Sequence, residues 1–178
     1  MRYFRDTFSE TFLTTVGIDK ETRIIKIKDK VYRITLWDTA GQERFRSLPI
    51  KYYQNADGVL LFFDISDKRS FENVDVWFDD AKKNIKNKSR TNIFLIGNKI
   101  DSKRVVTKEE ANKKAKELGM KYFEVSCKIN MNVTEVMSTM IYCCYENVEN
   151  VNGEKLDRRK TKKKKGGGGC CGGGNSKK

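Results

Sequence analysis

The clearest alternation of apolar and polar positions lies near the amino end. Ile25 and Ile27 flank Lys26, and after Lys28-Asp29-Lys30 the residues Ile34 and Leu36 alternate with Arg33 and Thr35. Two alternating runs, 22–28 and 31–38, joined by a short polar turn predict an antiparallel hairpin. Three later stretches are continuously apolar: Gly58–Asp64, Asn92–Gly97 and Tyr122–Ser126. Runs of this kind predict strands buried on both faces. Helical periodicity separates them. Phe71, Val74, Trp77, Phe78, Ala81 and Ile85 fall on one face, with Ser70 as a candidate cap. Thr107-Lys108-Glu109-Glu110 has the form of a capping box leading into Ala111, Ala115 and Leu118, with Gly119 as the stop. Val133, Val136, Met137, Met140, Ile141 and Cys144 mark a third helix. Strands alternating with helices predict an α/β fold, a mostly parallel sheet with helices on both faces.

Composition adds exclusions. The chain has 178 residues and no histidine, which rules out histidine acid–base catalysis, a Ser-His-Asp triad and a Cys₂His₂ zinc site. No apolar run is long enough to span a bilayer. The first residues, Met1 to Asp6, contain no apolar stretch of the kind a secretory leader needs.

The net charge of +13 is unevenly placed. Residues 155–178 carry ten Lys/Arg and one acidic residue, Asp157, leaving 27 Lys/Arg against 23 Asp/Glu for residues 1–154. This divides the chain into a domain at 1–150 and a basic, glycine-rich tail at 151–178, expected to be flexible. Such a tail is a nucleic-acid arm, a nuclear localisation signal, a tether to anionic lipid, or a solvated charge run without a partner. Nucleic acid is disfavoured because residues 155–178 hold no aromatic side chain for base stacking. The adjacent Cys170 and Cys171 in the glycine run have no packing role there. They suit lipid attachment, with the basic run as the second membrane signal. No C-x-x-C spacing exists for structural zinc.

Ligands of parallel α/β sheets bind outside the carboxyl ends of the strands, and each predicted strand end carries a polar motif. Asp38-Thr39-Ala40-Gly41-Gln42 follows the hairpin, Gly97-Asn98-Lys99-Ile100-Asp101 follows the second buried run, and Ser126-Cys127-Lys128 follows the third. In this order the three motifs resemble the Ras-like small GTPases, and among them the Rab branch. The resemblance covers about Tyr3 to Tyr145. It includes WDTAGQERFRSL at 37–48, GNKID at 97–101, Thr14 to Asp19 as a first switch, and a cysteine pair after a basic tail.

The resemblance implies a three-layer fold of the P-loop NTPase kind with one antiparallel edge strand, and it implies GTP or GDP with Mg²⁺ as ligands. Asp101 would accept two hydrogen bonds from guanine N1 and N2, worth roughly 1.5–3 kcal/mol each as charge-assisted bonds. Lys99 would lay its stem over the base, Asn98 would tie the loop together, and the backbone around Ser126, Cys127 and Lys128 would meet the guanine oxygen. The family usually has alanine where Cys127 stands. Thr15 would bind Mg²⁺ and the γ-phosphate, Asp38 would hold the metal, the Gly41 N–H would bond the γ-phosphate, and Gln42 would orient the attacking water. Val16, Gly17, Ile18 and Asp19 would form switch backbone. Trp37 and Tyr52 match two aromatic positions of the effector face, or are ordinary half-buried packing; a third position, usually phenylalanine, is Lys20. Implied partners are an exchange factor, an activating protein, a dissociation inhibitor, effectors and a membrane surface. The implied role is a switch in vesicle traffic at the cytoplasmic face of an intracellular membrane, cycling with the cytosol.

Two departures stand out. The family's phosphate loop, G-x-x-x-x-G-K-[ST], does not occur in the 178 residues, and Gly17 is the only glycine among the first 40. Met1 is therefore expected to be internal to a longer native chain, with the first strand, the phosphate loop and most of the first helix preceding it. The alternative is a truncated pseudo-GTPase that binds partners and hydrolyses nothing. Second, seven residues follow Cys171, whereas Rab-type lipidated cysteines lie at or very near the end.

Overall fold

The computed structural model describes residues 2–9, 18–39, 41 and 50–165, the stretch 151–165 by its backbone. The chain divides into two compact units, residues 1–144 and 145–178.

The first unit opens with a single helical turn, α1 (Arg2–Arg5). The hairpin follows as β1 (Ile18–Ile27) and β2 (Lys30–Thr39), paired antiparallel from Ile18 opposite Thr39 to Ile27 opposite Lys30. Both strands are longer than the alternation predicts. The turn is closed by Lys28 at φ +53°, a left-handed conformation that lets two residues reverse the chain. Tight pairing thus extends to the turn, and Lys30 is the first residue of β2.

A short helix, α2 (Ile50–Tyr53), leads into the parallel part of the fold. There β3 (Gly58–Asp64), β4 (Asn92–Asn98) and β5 (Lys121–Glu124) pair in that order. Between β3 and β4 lie α3 (Lys68–Glu72) and α4 (Val74–Asn84); between β4 and β5 lies α5 (Lys108–Glu117). One face of the sheet packs Leu61, Phe63 and Leu95 against Phe71, Val74, Phe78 and Ala81 of α3 and α4 and Ala111 and Ala115 of α5. The other packs Phe94 and Ile96 against Val133, Val136 and Met140 at the start of the last helix, α6 (Val133–Lys165). The result is a three-layer α/β arrangement with the core on both sides of β4. Full burial of one side chain such as Phe94 contributes roughly 1.5–3 kcal/mol.

Burial on both faces holds for the central strand and fails for β3. Phe94, Leu95 and Ile96 are all essentially inaccessible, but Phe62 is 51 % exposed while Val59, Leu61 and Phe63 are buried. The reason is position: β3 is the edge strand of its sheet among the described residues, and its second face is covered only in part.

The caps are mixed. Thr107 and Glu110 form the reciprocal box, with Thr107 Oγ1 accepting from the Glu110 N–H at 3.1 Å and Glu110 Oε2 accepting from the Thr107 N–H at 2.8 Å. Gly119 follows the end of α5 at φ +70°, where only glycine is unstrained. Ser70 is not a cap. Asp67 caps α3 by accepting from the Arg69 N–H at 2.9 Å, and Ser70 sits one turn inside, its hydroxyl accepting from the Asp64 N–H at 2.9 Å. The single helix expected over 70–85 is two, broken at Asn73.

The last helix, α6, runs to Lys165 and so takes in residues 151–165. Glutamate, lysine and arginine are good helix formers, and cations in the last turns sit beside the unpaired carbonyls of the helix end. Among the described residues no helix is long and apolar enough to cross a membrane.

Candidate functional site

Parallel pairing brings the carboxyl ends of β3, β4 and β5 to one edge of the sheet. Asp64, Asn98 and the Val125–Lys128 segment meet there. Asn98 is the junction: its Oδ1 accepts from the Lys99 N–H at 2.8 Å and from the Cys127 N–H at 3.3 Å. One side chain thus fixes the loops after β4 and β5 to each other. The backbone cooperates, with Val125 N–H donating to the Gly97 carbonyl at 2.8 Å and Ile100 N–H to the Val125 carbonyl at 3.3 Å.

Lys99 adopts φ +64°. Left-handed backbone at a non-glycine residue costs about 1 kcal/mol or more. Its amide bond to Asn98 offsets that cost, as does its ammonium, which pairs with Asp64 Oδ2 at 2.6 Å. Asp64 also accepts from the Ser66 N–H at 2.8 Å and the Ser66 hydroxyl at 2.6 Å. Burial alone would push the Asp64 carboxyl up. The bonds from Lys99 and Ser66, with the Lys99 charge, outweigh it and hold the group below the usual carboxylate range.

Ser126 is fully buried. Its hydroxyl donates to Asp101 and accepts from the Ile129 N–H at 3.2 Å. Its backbone closes a pair with Met131, at 3.1 and 3.0 Å. The hydroxyl is therefore committed to the protein, and its effect on any ligand passes through Asp101. That bond, before the weaker influence of Lys128, lowers the Asp101 pKa, so the solvent-exposed carboxylate stays ionised and able to accept. Cys127 is half-buried, and burial pushes its thiol up against the opposing bond from Asn98. The thiol is the neutral form here, a small side chain where the resemblance expects alanine.

Two groups of residues at this edge were not singled out by motif. Asp64 is one; its signal is its place, the polar residue ending an apolar strand. The other is a cluster below the loop. Arg104 grips Glu124 with two parallel bonds of 2.9 Å, Tyr122 donates to the same carboxylate at 2.7 Å, and Arg104 reaches the Val106 carbonyl at 3.1 Å. Burial would raise the Glu124 pKa, but the bonds from Arg104 and Tyr122 lower it overall. The cluster fastens the segment after Asp101 to the end of β5. Three partners scattered over 21 residues make no local motif, which is why spacing did not reveal it.

At the hairpin, Asp38 is exposed and lies directly across from Asp19 in the strand register. An exposed carboxylate is a hard oxygen donor of the kind Mg²⁺ takes singly while keeping several waters, so Asp38 fits that ion. Gly41 is exposed, and a Cβ built on it meets nothing within 4 Å. Trp37 and Tyr52 are in contact, ring centroids 4.5 Å apart, and Lys20 Nζ lies 5.1 Å from the Trp37 ring centroid. Thr15, Val16, Gly17, Gln42, Cys170 and Cys171 lie outside the described residues.

Polar loops gathered at the carboxyl edge of the parallel strands, on a three-layer α/β fold, define the class. Residues 1–146 match the Ras family, and the chain belongs to it. Among similar proteins, Ras-related protein Rab-13 of Bos taurus is 42 % identical over 142 residues, 79 % of this chain and 69 % of that one. The GTP-binding protein ypt2 of Schizosaccharomyces pombe is 42 % identical over 144 residues, covering 79 % and 70 %, and Ras-related protein SEC4 of Candida albicans is 39 % identical over 157, covering 86 % and 74 %. These relatives support a Rab-type small GTPase.

Proposed function

We propose that the chain is a Rab-type small GTPase, a guanine-nucleotide switch of vesicle traffic that hydrolyses GTP to GDP. The observation that supports this most is the Ser126–Asp101 bond at the ends of adjacent parallel strands. It presents an ionised carboxylate, fixed from behind, to a ligand offering two neighbouring N–H donors. Guanine offers that pair and adenine does not. Asn98 holds the two base-facing loops in register, and Asp64 restrains the Lys99 ammonium so that its aliphatic stem is available to a ring.

On the phosphate side, Gly41 has room for its N–H to approach an oxygen, and Gln42 orients water in the role the family gives it. Asp38, with Thr15, would hold Mg²⁺, which supplies charge neutralisation at the phosphates. Loss of the γ-phosphate would release the switch segments around Thr15 to Asp19 and Asp38 to Gln42, altering the face that exchange factors, activating proteins and effectors contact. Cys170 and Cys171 would carry lipid, and the basic residues before them would add attraction to an anionic, cytoplasm-facing membrane. Their replacement by serine is expected to move the protein from the membrane to the soluble fraction; unchanged fractionation would refute the anchor.

The test of the main reading is titration of the native chain, purified from its own cells, with fluorescent GDP and ADP. GDP is expected to be selected, and Asp101→Asn to lower its affinity about tenfold to a hundredfold, the loss of one charge-assisted bond. Equal affinity in the variant would remove Asp101 from the base site. Binding of neither nucleotide would leave a partner-binding module.

A further inference from the structure

The antiparallel register sorts the hairpin's charges onto opposite faces. Lys20 faces Trp37, Ile24 faces Arg33, and Lys26 faces Val31, all on one side. That side is open: Ile24 is 72 % exposed, Val31 68 % and Trp37 43 %. The strands' carboxylates Asp19, Glu21 and Asp38 lie on the other side. The two sides are confirmed by their contacts. Glu21 takes a 3.1 Å bond from Arg5 and Arg23 lies over the Phe4 ring, so the second face packs on α1, whereas Lys20 and Tyr52 gather on Trp37. Among the described residues none of Lys20, Lys26 and Arg33 has a carboxylate partner.

We propose that this face docks an acidic protein segment, one that places an apolar side chain on Trp37 and carboxylates opposite Lys20, Arg33 and Lys26. The inference rests on the switch reading for its setting and names the chemistry of the partner at that face. A cation beside an exposed indole favours a carboxylate-bearing group over a purely apolar one, because an apolar partner would strip water from Lys20 without compensation. From Lys20 to Lys26 is about 20 Å at 3.3 Å per residue, a length that a helical segment of about 13 residues covers. A membrane is the poorer fit. Lipid-binding clusters need about four to eight cations, and this face has three, interleaved with Ile24 and Val31.

The experiment selects from a library of random peptides, displayed on phage, with the full chain as bait, and measures the winners by fluorescence anisotropy. The selected peptides are expected to be rich in Asp and Glu around one aromatic or leucine. Lys20→Glu and Arg33→Glu are each expected to weaken them about tenfold, with added salt weakening the wild type in the same direction. Lys20→Phe is expected to keep apolar binding and lose the preference for acid. Selection of neutral or basic peptides, no selection at all, or unchanged affinity in both charge reversals would overturn the proposal. So would hairpin-dependent binding to phosphatidylserine vesicles without binding to acidic peptides. Circular dichroism verifies that each variant folds. Fluorescent GDP binding read on the same samples separates the outcomes: a wild-type chain that binds GDP and selects no acidic peptide counts against this face, and one that selects acidic peptides and binds no GDP counts against the nucleotide reading.

Discussion

Lys99 and Asp64 link the ends of neighbouring parallel strands through a 2.6 Å ion pair, and Lys99 holds a left-handed backbone to do so. The Lys99 side chain is 58 % exposed and Asp64 18 %. The pair itself is therefore worth no more than about 1 kcal/mol. The carboxylate does more locally, since it also receives both donors of Ser66. Asp64→Ala is expected to lower stability by about 1–2 kcal/mol, mostly through the Ser66 turn, and to lower GDP affinity as Lys99 is released. Urea unfolding and fluorescent GDP titration check this. A variant with full stability and full affinity would show the pair to be idle.

Ser126 offers a sharper test, because its hydroxyl is buried and used twice. Ser126→Ala removes the donor to Asp101 and leaves the Ile129 N–H without its acceptor. The cost of an unsatisfied buried group is about 1–3 kcal/mol. The Asp101 pKa, lowered chiefly by this bond, is expected to move back up toward the ordinary aspartate range. Carboxyl NMR titration reads that shift directly, and an Asp101 titration unchanged in Ser126→Ala would contradict the assigned hydrogen bond.

How far the sequence reaches depends on whether a feature is local. The hairpin, the three parallel strands and the Thr107–Glu110 box are written in neighbouring residues, through alternation, apolar runs and a three-residue spacing, and all are present in the structure. So is the convergence of Asn98, Asp101 and Ser126, because strand ends of a parallel sheet must meet. What spacing does not encode is the Asp64–Lys99 pair and the Arg104–Glu124–Tyr122 cluster, whose members come from separate elements. Exposure of Phe62 was hidden for a similar reason: an apolar run says nothing about which strand is central and which lies at the edge. Ser70 misled as a cap because Asp67, three residues earlier, accepts from the Arg69 N–H at the start of α3.

The Arg104–Glu124 clamp makes a pH prediction. The folded Glu124 pKa is lowered, so its contribution is fully present above the ordinary glutamate range, near 4.5, and is lost as pH falls through the lower folded value. Arg104→Met would leave Glu124 with Tyr122 alone. Stability at neutral pH is expected to fall by about 1–3 kcal/mol, and the difference from wild type is expected to shrink in acid. Denaturant unfolding at a series of pH values measures it; a difference independent of pH would mean the loss is packing, not charge. Loosening of the Asp101 loop would appear as faster GDP release.

Gly97 connects this clamp to the sheet. A Cβ on Gly97 would lie 2.8 Å from the Tyr122 hydroxyl, 3.0 Å from Ile65 Cγ2 and 3.2 Å from Phe63 Cζ. Phe63 and Ile65 are among the most buried side chains and cannot withdraw, so Tyr122 must move, and its hydroxyl would then lose Glu124. Gly97→Ala is expected to cost about 1–3 kcal/mol as an overpacked core. The mechanism is distinguishable from a bulk packing defect by a double-mutant cycle. Tyr122→Phe removes the hydroxyl nearest the added methyl and also the bond to Glu124. Combined with Gly97→Ala it is expected to lose less than the sum of the two single changes, because both act on the same contact. Additive losses would place the strain of Gly97→Ala on Ile65 and Phe63 instead, and would leave the clamp, and the Asp101 loop it holds, untouched by the glycine.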